Sequence, residues 1–202
     1  MSQFKSAALM VMASLLTVSV SQAQSKQAPP PWAASGPEFA VVGGVRSNSG
    51  DTDLSGVTIG SSSGLQLGVL GFIPFNETFS LRTGFTYTGR NYTISSGGTT
   101  IDAKPYYFDI PATLMINFND YGGIFAGPVI ALNSSKECSA SGAASCTLTN
   151  VKGTIMPIAL GGSFKFGNQM GAEVFFEMLS GEIQTDIKNI RSVGANFVYY
   201  FE

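Results

Sequence analysis

The C-terminal stretch Ile190-Arg-Ser-Val-Gly-Ala-Asn-Phe-Val-Tyr-Tyr-Phe-Glu202 carries the reading that decides the fold. Val193, Ala195, Phe197, Tyr199 and Phe201 fall on one face of a strand, and Ser192, Gly194, Asn196, Val198 and Tyr200 fall on the other. Side chains alternate across a sheet with period two, so this is a ribbon with one apolar, aromatic-ended face and one smaller, more polar face. Alternation marks a half-buried strand. It does not say whether the apolar face meets a protein core or lipid, and that is decided by the rest of the chain.

Seven further strand segments lie upstream, and six of them show the same alternation. Glu38–Arg46 places Phe39, Val41 and Val45 together, and Gly64–Ile73 sets Leu65, Leu67 and Val69 against Gln66, Gly68 and Leu70. In Thr78–Thr88, Phe79, Leu81, Phe85 and Tyr87 oppose Ser80, Arg82, Gly84 and Thr86. Tyr106–Phe118 carries an unbroken apolar face from Tyr106 through Phe108, Ile110 and Leu114 to Phe118, with Asp109 and Thr113 opposite. Gly123–Leu132 is apolar on both faces, which leaves its register open. In Thr154–Phe166, Ile158, Leu160, Phe164 and Phe166 oppose Ser163 and Lys165; in Met170–Met178, Val174, Phe176 and Met178 oppose Glu173, Phe175 and Glu177. Pro111, Pro128 and Pro157 inside these segments weaken the strand assignment there or imply bulges, since proline cannot donate to a ladder.

The connections alternate in length. Pro74–Glu77, Asn119–Gly122 and Gly167–Gln169 are short turns, whereas the stretches around 47–63, 89–105, 133–153 and 179–189 are long and rich in Gly, Ser, Thr and Asn. A membrane barrel sorts its connections in this way, with short turns on one side and longer loops on the other, and an even number of strands. A soluble sandwich has no reason to do so. Phe79, Phe118, Phe166, Tyr199 and Phe201 gather at the short-turn end, and Tyr87, Tyr106 and Phe108 at the long-loop end, as two interfacial girdles require.

Composition agrees. Charged residues are 12% of the chain, against the usual proportion of about a quarter. A formal net charge of −2 without a basic cluster gives nucleic-acid binding no support. At the N-terminus, Lys5, an apolar run from Ala7 to Val20 and the small-residue site Ser21-Gln22-Ala23 read as a secretory signal over residues 1–23. The run is too short to anchor, since a span needs about 20 apolar residues. A Pro-rich periplasmic extension is expected over 24–37 and the barrel over 38–202. Export favours a disulfide between Cys138 and Cys146. The absence of His makes a metal site the weaker alternative, and no cofactor is expected.

Arg82, Lys165, Glu173 and Glu177 all lie opposite the apolar faces. In a barrel surrounded by lipid they project into the lumen, where charges removed from water need partners. The expectation is a lumen network pairing Arg82 and Lys165 with Glu173 and Glu177, with Asp109 and Gln66 as lesser members. Such a network serves either as a gate or as a polar core. The polar core is the simpler reading, because eight strands enclose little more than their own side chains. With no His, no nucleophile elbow and no phosphate loop, the sequence lacks the usual acid–base parts of an enzyme.

The pattern polar-x-Gly-x-x-aromatic-x-aromatic, filled here by Ser192, Gly194, Phe197 and Tyr199 and followed by Phe201, resembles the assembly signal on the closing strand of bacterial outer-membrane barrels. Tyr106-Tyr-Phe-Asp-Ile-Pro111 is similar to the aromatic-x-x-Ile-Pro strand of PorT-like barrels. The chain from Glu38 to Phe201 thus resembles the OmpA/OmpX-like and PorT-like small barrels. That resemblance implies an all-β, eight-stranded antiparallel up-and-down transmembrane β-barrel in the outer membrane, inserted by the barrel assembly machinery and surrounded by outer-membrane lipid. It also implies a structural role or a surface partner at the outer loops, among which the Cys138–Cys146 loop is the best contact element. The alternatives are a narrow pore and a soluble lipocalin-like barrel with its apolar face inward.

Overall fold

The structure, a computed structural model, describes residues 36–118, 121–141 and 146–201. The expected signal segment, and all but the last two residues of the Pro-rich extension, lie outside the described residues. Eleven strands form one antiparallel sheet: β1 (Glu38–Thr52), β2 (Val57–Pro74), β3 (Phe79–Gly89), β4 (Tyr92–Ser96), β5 (Thr99–Asn117), β6 (Gly122–Ala140), β7 (Thr154–Ile155), β8 (Ile158–Lys165), β9 (Met170–Met178), β10 (Glu182–Gln184) and β11 (Ile187–Tyr200). They make eight staves, because β3 continues as β4, β7 as β8 and β9 as β10. Each stave pairs with its sequence neighbours. The ring closes where β1 pairs β11, from Ala40 opposite Tyr200 to Thr52 opposite Ile187.

The register fixes the barrel's shape. Followed round the ring from Glu38, the alignment passes Phe72, Arg82 and Thr113, crosses to Gly127 in step with the Leu114–Ala126 pair, and continues through Ala159, Glu177 and Ser192 to Asn48 on β1, ten residues further along. A stagger of that size over eight strands tilts them by about 40° and leaves an interior that side chains fill. At the closing seam, the neighbouring strands approach so closely that a Cβ on Gly44 would stand 2.2 Å from the Ala195 carbonyl oxygen, so only glycine fits. Gly97 and Gly98, at φ of 55° and 84°, turn the β4–β5 hairpin in the left-handed conformation that such tight turns need.

Two features of the strands differ from the sequence expectation. Strand pairing runs far into the long connections: β1 and β2 pair up to Asn48–Ser62, β4 pairs β2 and β5, and β6 runs to Ala140 against β5. Above the lipid the outer face is wet, so the apolar alternation stops while backbone pairing continues through Ser and Thr. The prolines do not shift the register. Pro111 opposite Val129 and Leu114 opposite Ala126 share one alignment, and the pairs between them are lost where Pro128 has no N–H to give. The shift lies higher, between Tyr106 and Tyr107, where β6 carries the extra Ser134. Pro157 sits in the break between β7 and β8.

The outer wall is apolar along the part of each stave next to the short turns. Val45, Leu65, Leu67, Phe85, Leu114, Ile124, Ile158, Phe164, Val174, Val193 and Phe197 all point outward and are exposed. A continuous apolar belt of this extent is not a water-facing surface, and lipid is the solvent that suits it. Phe39, Phe79, Phe118, Phe166, Tyr199 and Phe201 ring its lower edge. The upper aromatics are no ring among the described residues: they gather on the adjacent staves β3 and β5, where Tyr87 stacks on Tyr106 at 5.4 Å and lies tilted against Phe108.

Candidate functional site

The lumen is filled in three tiers. The lowest, next to the short turns, is apolar: Ala40, Val42, Leu70, Phe72, Met115, Phe125, Phe175, Val198 and Tyr200 pack across the barrel. The middle tier holds the charges. The Arg82 guanidinium grips Glu173 with both arms, Nε to Oε1 at 2.8 Å and Nη2 to Oε2 at 2.7 Å, and Asn196 Nδ2 donates to the same carboxylate at 3.2 Å. Arg82 also lies 4.4 Å from the centre of the Phe125 ring. One turn of the wall higher, Glu177 Oε2 accepts from Arg46 Nη2 at 2.5 Å and from Arg90 Nη1, and Arg90 Nη2 donates to Asp109 at 2.8 Å. Arg46 is oriented by Asn48, which accepts its Nε at 3.0 Å and the Ser192 hydroxyl at 2.8 Å. All six ionic side chains are buried, and three guanidiniums face three carboxylates, so the tier is neutral. Forked, charge-assisted pairs are the arrangement that withstands burial.

Of the residues expected in this network, Arg82, Glu173, Glu177 and Asp109 meet in the middle tier, and Lys165 does not. Lys165 Nζ donates to both oxygens of Glu38, at 2.8 and 2.7 Å, over the Tyr200 ring at the lower mouth. The physical reason is saturation: the planar fork of Arg82 and the amide of Asn196 already occupy Glu173. A lysine one pleat nearer the opening finds the first carboxylate of β1 instead. Gln66 lines a cavity of about 20 Å³ beside Asp109 and Thr86, with its buried Oε1 free of any protein partner.

Arg46 and Arg90 escaped the sequence reading. Parity could have found both. Arg46 alternates with Phe39, Val41 and Val45, and Arg90 continues the inward run of Arg82, Thr86 and Thr88. They were missed because one closed a strand and the other stood in a presumed loop.

The top tier is apolar again: Tyr92, Ala103, Tyr107, Ala131, Leu148, Ile155, Leu179, Ile183, Ile187 and Ile190 form one buried cluster, with Ile59, Ile94, Cys138 and Val151 packed on it. Tyr92 donates to Gln184 Oε1 at 2.7 Å, and burial pushes its phenol above the usual range. Cys138 and Cys146 are joined by a disulfide. The hairpins outside this cluster carry exposed pairs, Lys188 with Asp53, Arg191 with Asp51 and Lys152 with Glu182, which contribute little to stability. The expected assembly-signal residues divide by face. Ser192 and Gly194 point inward, Gly194 beneath the Phe175 ring, while Phe197, Tyr199 and Phe201 point to the belt.

With the ring closed, the belt outside and the charges inside, comparison with solved structures becomes informative. Neisserial surface protein A matches at a TM-score of 0.50 and 16% identity, over 83% of this chain and 100% of that one. The fold is that of a small outer-membrane barrel. Ail of Yersinia pestis, solved in complex with the heparin analogue sucrose octasulfate, is similar at a TM-score of 0.48 and 17% identity, over 83% of this chain and 100% of its own. OprG of Pseudomonas aeruginosa is similar at 0.46 and 12%, over 83% and 97%. No protein-family model matches the sequence, and no curated protein matches it.

Proposed function

We propose that this chain is a bacterial outer-membrane surface protein whose barrel anchors, and whose working part is the crown of hairpins above the lipid. The observation that carries the reading is the blocked lumen. A neutral charge tier, in which each guanidinium is bonded to a carboxylate, lies between two apolar tiers, so a continuous wet path of the kind a narrow pore needs finds no support. The same tiers argue against a lipocalin-like soluble barrel, whose apolar side chains would face the interior along every stave. The crown offers what a contact surface requires: paired strands around its rim, and a connection after β6 stapled by Cys138–Cys146. The reading includes insertion by the barrel assembly machinery and no catalytic step.

The test combines two measurements on the full chain. An epitope inserted between Gly97 and Gly98, at an exposed turn, should be reached by antibody on intact cells. The purified barrel in planar bilayers should give no conductance steps. An epitope masked until cells are broken contradicts the surface reading. Steady conductance that disappears on Arg82→Ala or Glu173→Ala would make the pore the function.

A further inference from the structure

The top tier is closed by a piece of chain that belongs to no stave. After Cys146, the segment from Leu148 to Gly153 turns down into the mouth, with Leu148 buried and Val151 half-buried in the upper apolar cluster. It is held by scattered bonds and no ladder. Val151 bridges Gln184, the Lys152 N–H donates to the Ile183 carbonyl at 2.8 Å, and the Asn133 N–H donates to the Gly153 carbonyl at 2.8 Å. The Lys152 carbonyl accepts the Tyr107 hydroxyl at 3.1 Å. Its N-terminal side is tied by the disulfide to Cys138, which itself packs on the same cluster. The walls around it are different: Tyr92, Tyr107, Ile187 and Ile190 sit on strands paired to their neighbours. Withdrawing the strap therefore leaves the walls standing and uncovers an apolar chamber.

We propose that Cys138–Cys146 is a redox latch on this strap, and that the unlatched chamber takes a small, neutral, apolar guest bearing one hydrogen-bond acceptor. The reductant is a dithiol. It delivers two electrons and two protons, the Cys138–Cys146 S–S bond breaks, an S–H bond forms on each cysteine, and the donor closes to its own disulfide. The guest's chemistry follows from what the strap vacates. Leu148 and Val151 leave apolar volume, the Arg90 guanidinium beneath it, 5.8 Å from the centre of the Tyr107 ring, is already paired with Glu177 and Asp109, and loss of the Lys152 carbonyl frees the Tyr107 hydroxyl to donate. The inference adds a site within the crown, and its failure would leave the surface-anchor reading intact.

Hydrogen exchange on the full chain in lipid nanodiscs tests it, comparing the oxidised protein, the protein reduced with dithiothreitol, and the C138S/C146S double variant. Opening a loop of this size relieves a constraint that corresponds to roughly ten- to a hundredfold in population. The amides of Lys152 and Asn133 should exchange faster by that factor in the reduced and variant forms, with β8 and β9 unchanged. The probe is 1-naphthol, an apolar body with one oxygen. It should bind the unlatched forms saturably at one per chain above empty nanodiscs, and Tyr107→Phe should weaken it by about five- to tenfold without slowing strap exchange. Unchanged strap exchange on reduction overturns the latch. Faster exchange without saturable binding overturns the chamber. Faster exchange throughout the staves makes the disulfide a staple of the whole barrel and overturns both.

Discussion

Glu173→Ala will lower the unfolding free energy of the barrel in lipid vesicles by about 3–5 kcal/mol, the range for removing one partner of a buried ion pair. The Arg82 guanidinium, held by two bonds to that carboxylate and pressed against Phe125, would be left charged and dry. The cost is that of the stranded charge and not the worth of the pair, and a second substitution separates the two. Arg82→Met together with Glu173→Leu removes both charges and refills the space with apolar volume, and it should regain most of the loss. Urea titration of folded protein in vesicles, read by tyrosine and tryptophan fluorescence or by electrophoretic mobility, measures all three. A Glu173→Ala variant as stable as the parent would mean that this side chain is not inside.

The next residue has the opposite requirement. Val174 points outward at the middle of β9 and is 53% exposed to the belt. Val174→Arg places a charge near the bilayer midplane and should cost about 2–4 kcal/mol, while Val174→Leu should be nearly neutral. The pair of positions discriminates between architectures. In a soluble barrel with its apolar face inward, Glu173 would be wet and expendable and Val174 would be core. Glu173→Ala would then be harmless, and Val174→Leu would overpack. A lipid-facing barrel gives both results reversed. The same titration, run on the two single variants side by side, reads the difference.

The sequence made the membrane half of each stave legible, because there the two faces meet different solvents. Phe79 through Tyr87 and Ile158 through Phe166 alternate cleanly for that reason, and their parity carries directly to Arg82, Glu173 and Glu177. Legibility ended where the outer solvent became water. Val57–Ser63, Tyr92–Ser96 and Asn133–Ala140 are strands in the structure, yet their faces differ too little in polarity to mark them. The upper apolar tier was unseen on the same account. It is assembled from single residues such as Tyr92, Leu148 and Ile183 on separate hairpins, and no local pattern links them. Lys165 was assigned a partner from the β8–β9 hairpin alone, where Ser163 does face Glu173. The competing ligands, Arg82 and Asn196, come from distant staves.

The measurement that tests the central claim most directly is electrophoresis of the detergent-extracted outer-membrane fraction, with and without boiling. A closed barrel held by eight paired staves and a buried ionic tier should stay folded in detergent and migrate apart from its boiled form. The protein should also be absent from the fraction released without detergent. Recovery in that soluble fraction, with one mobility before and after heating, would contradict the account, because the belt that faces lipid here would then have to face a core.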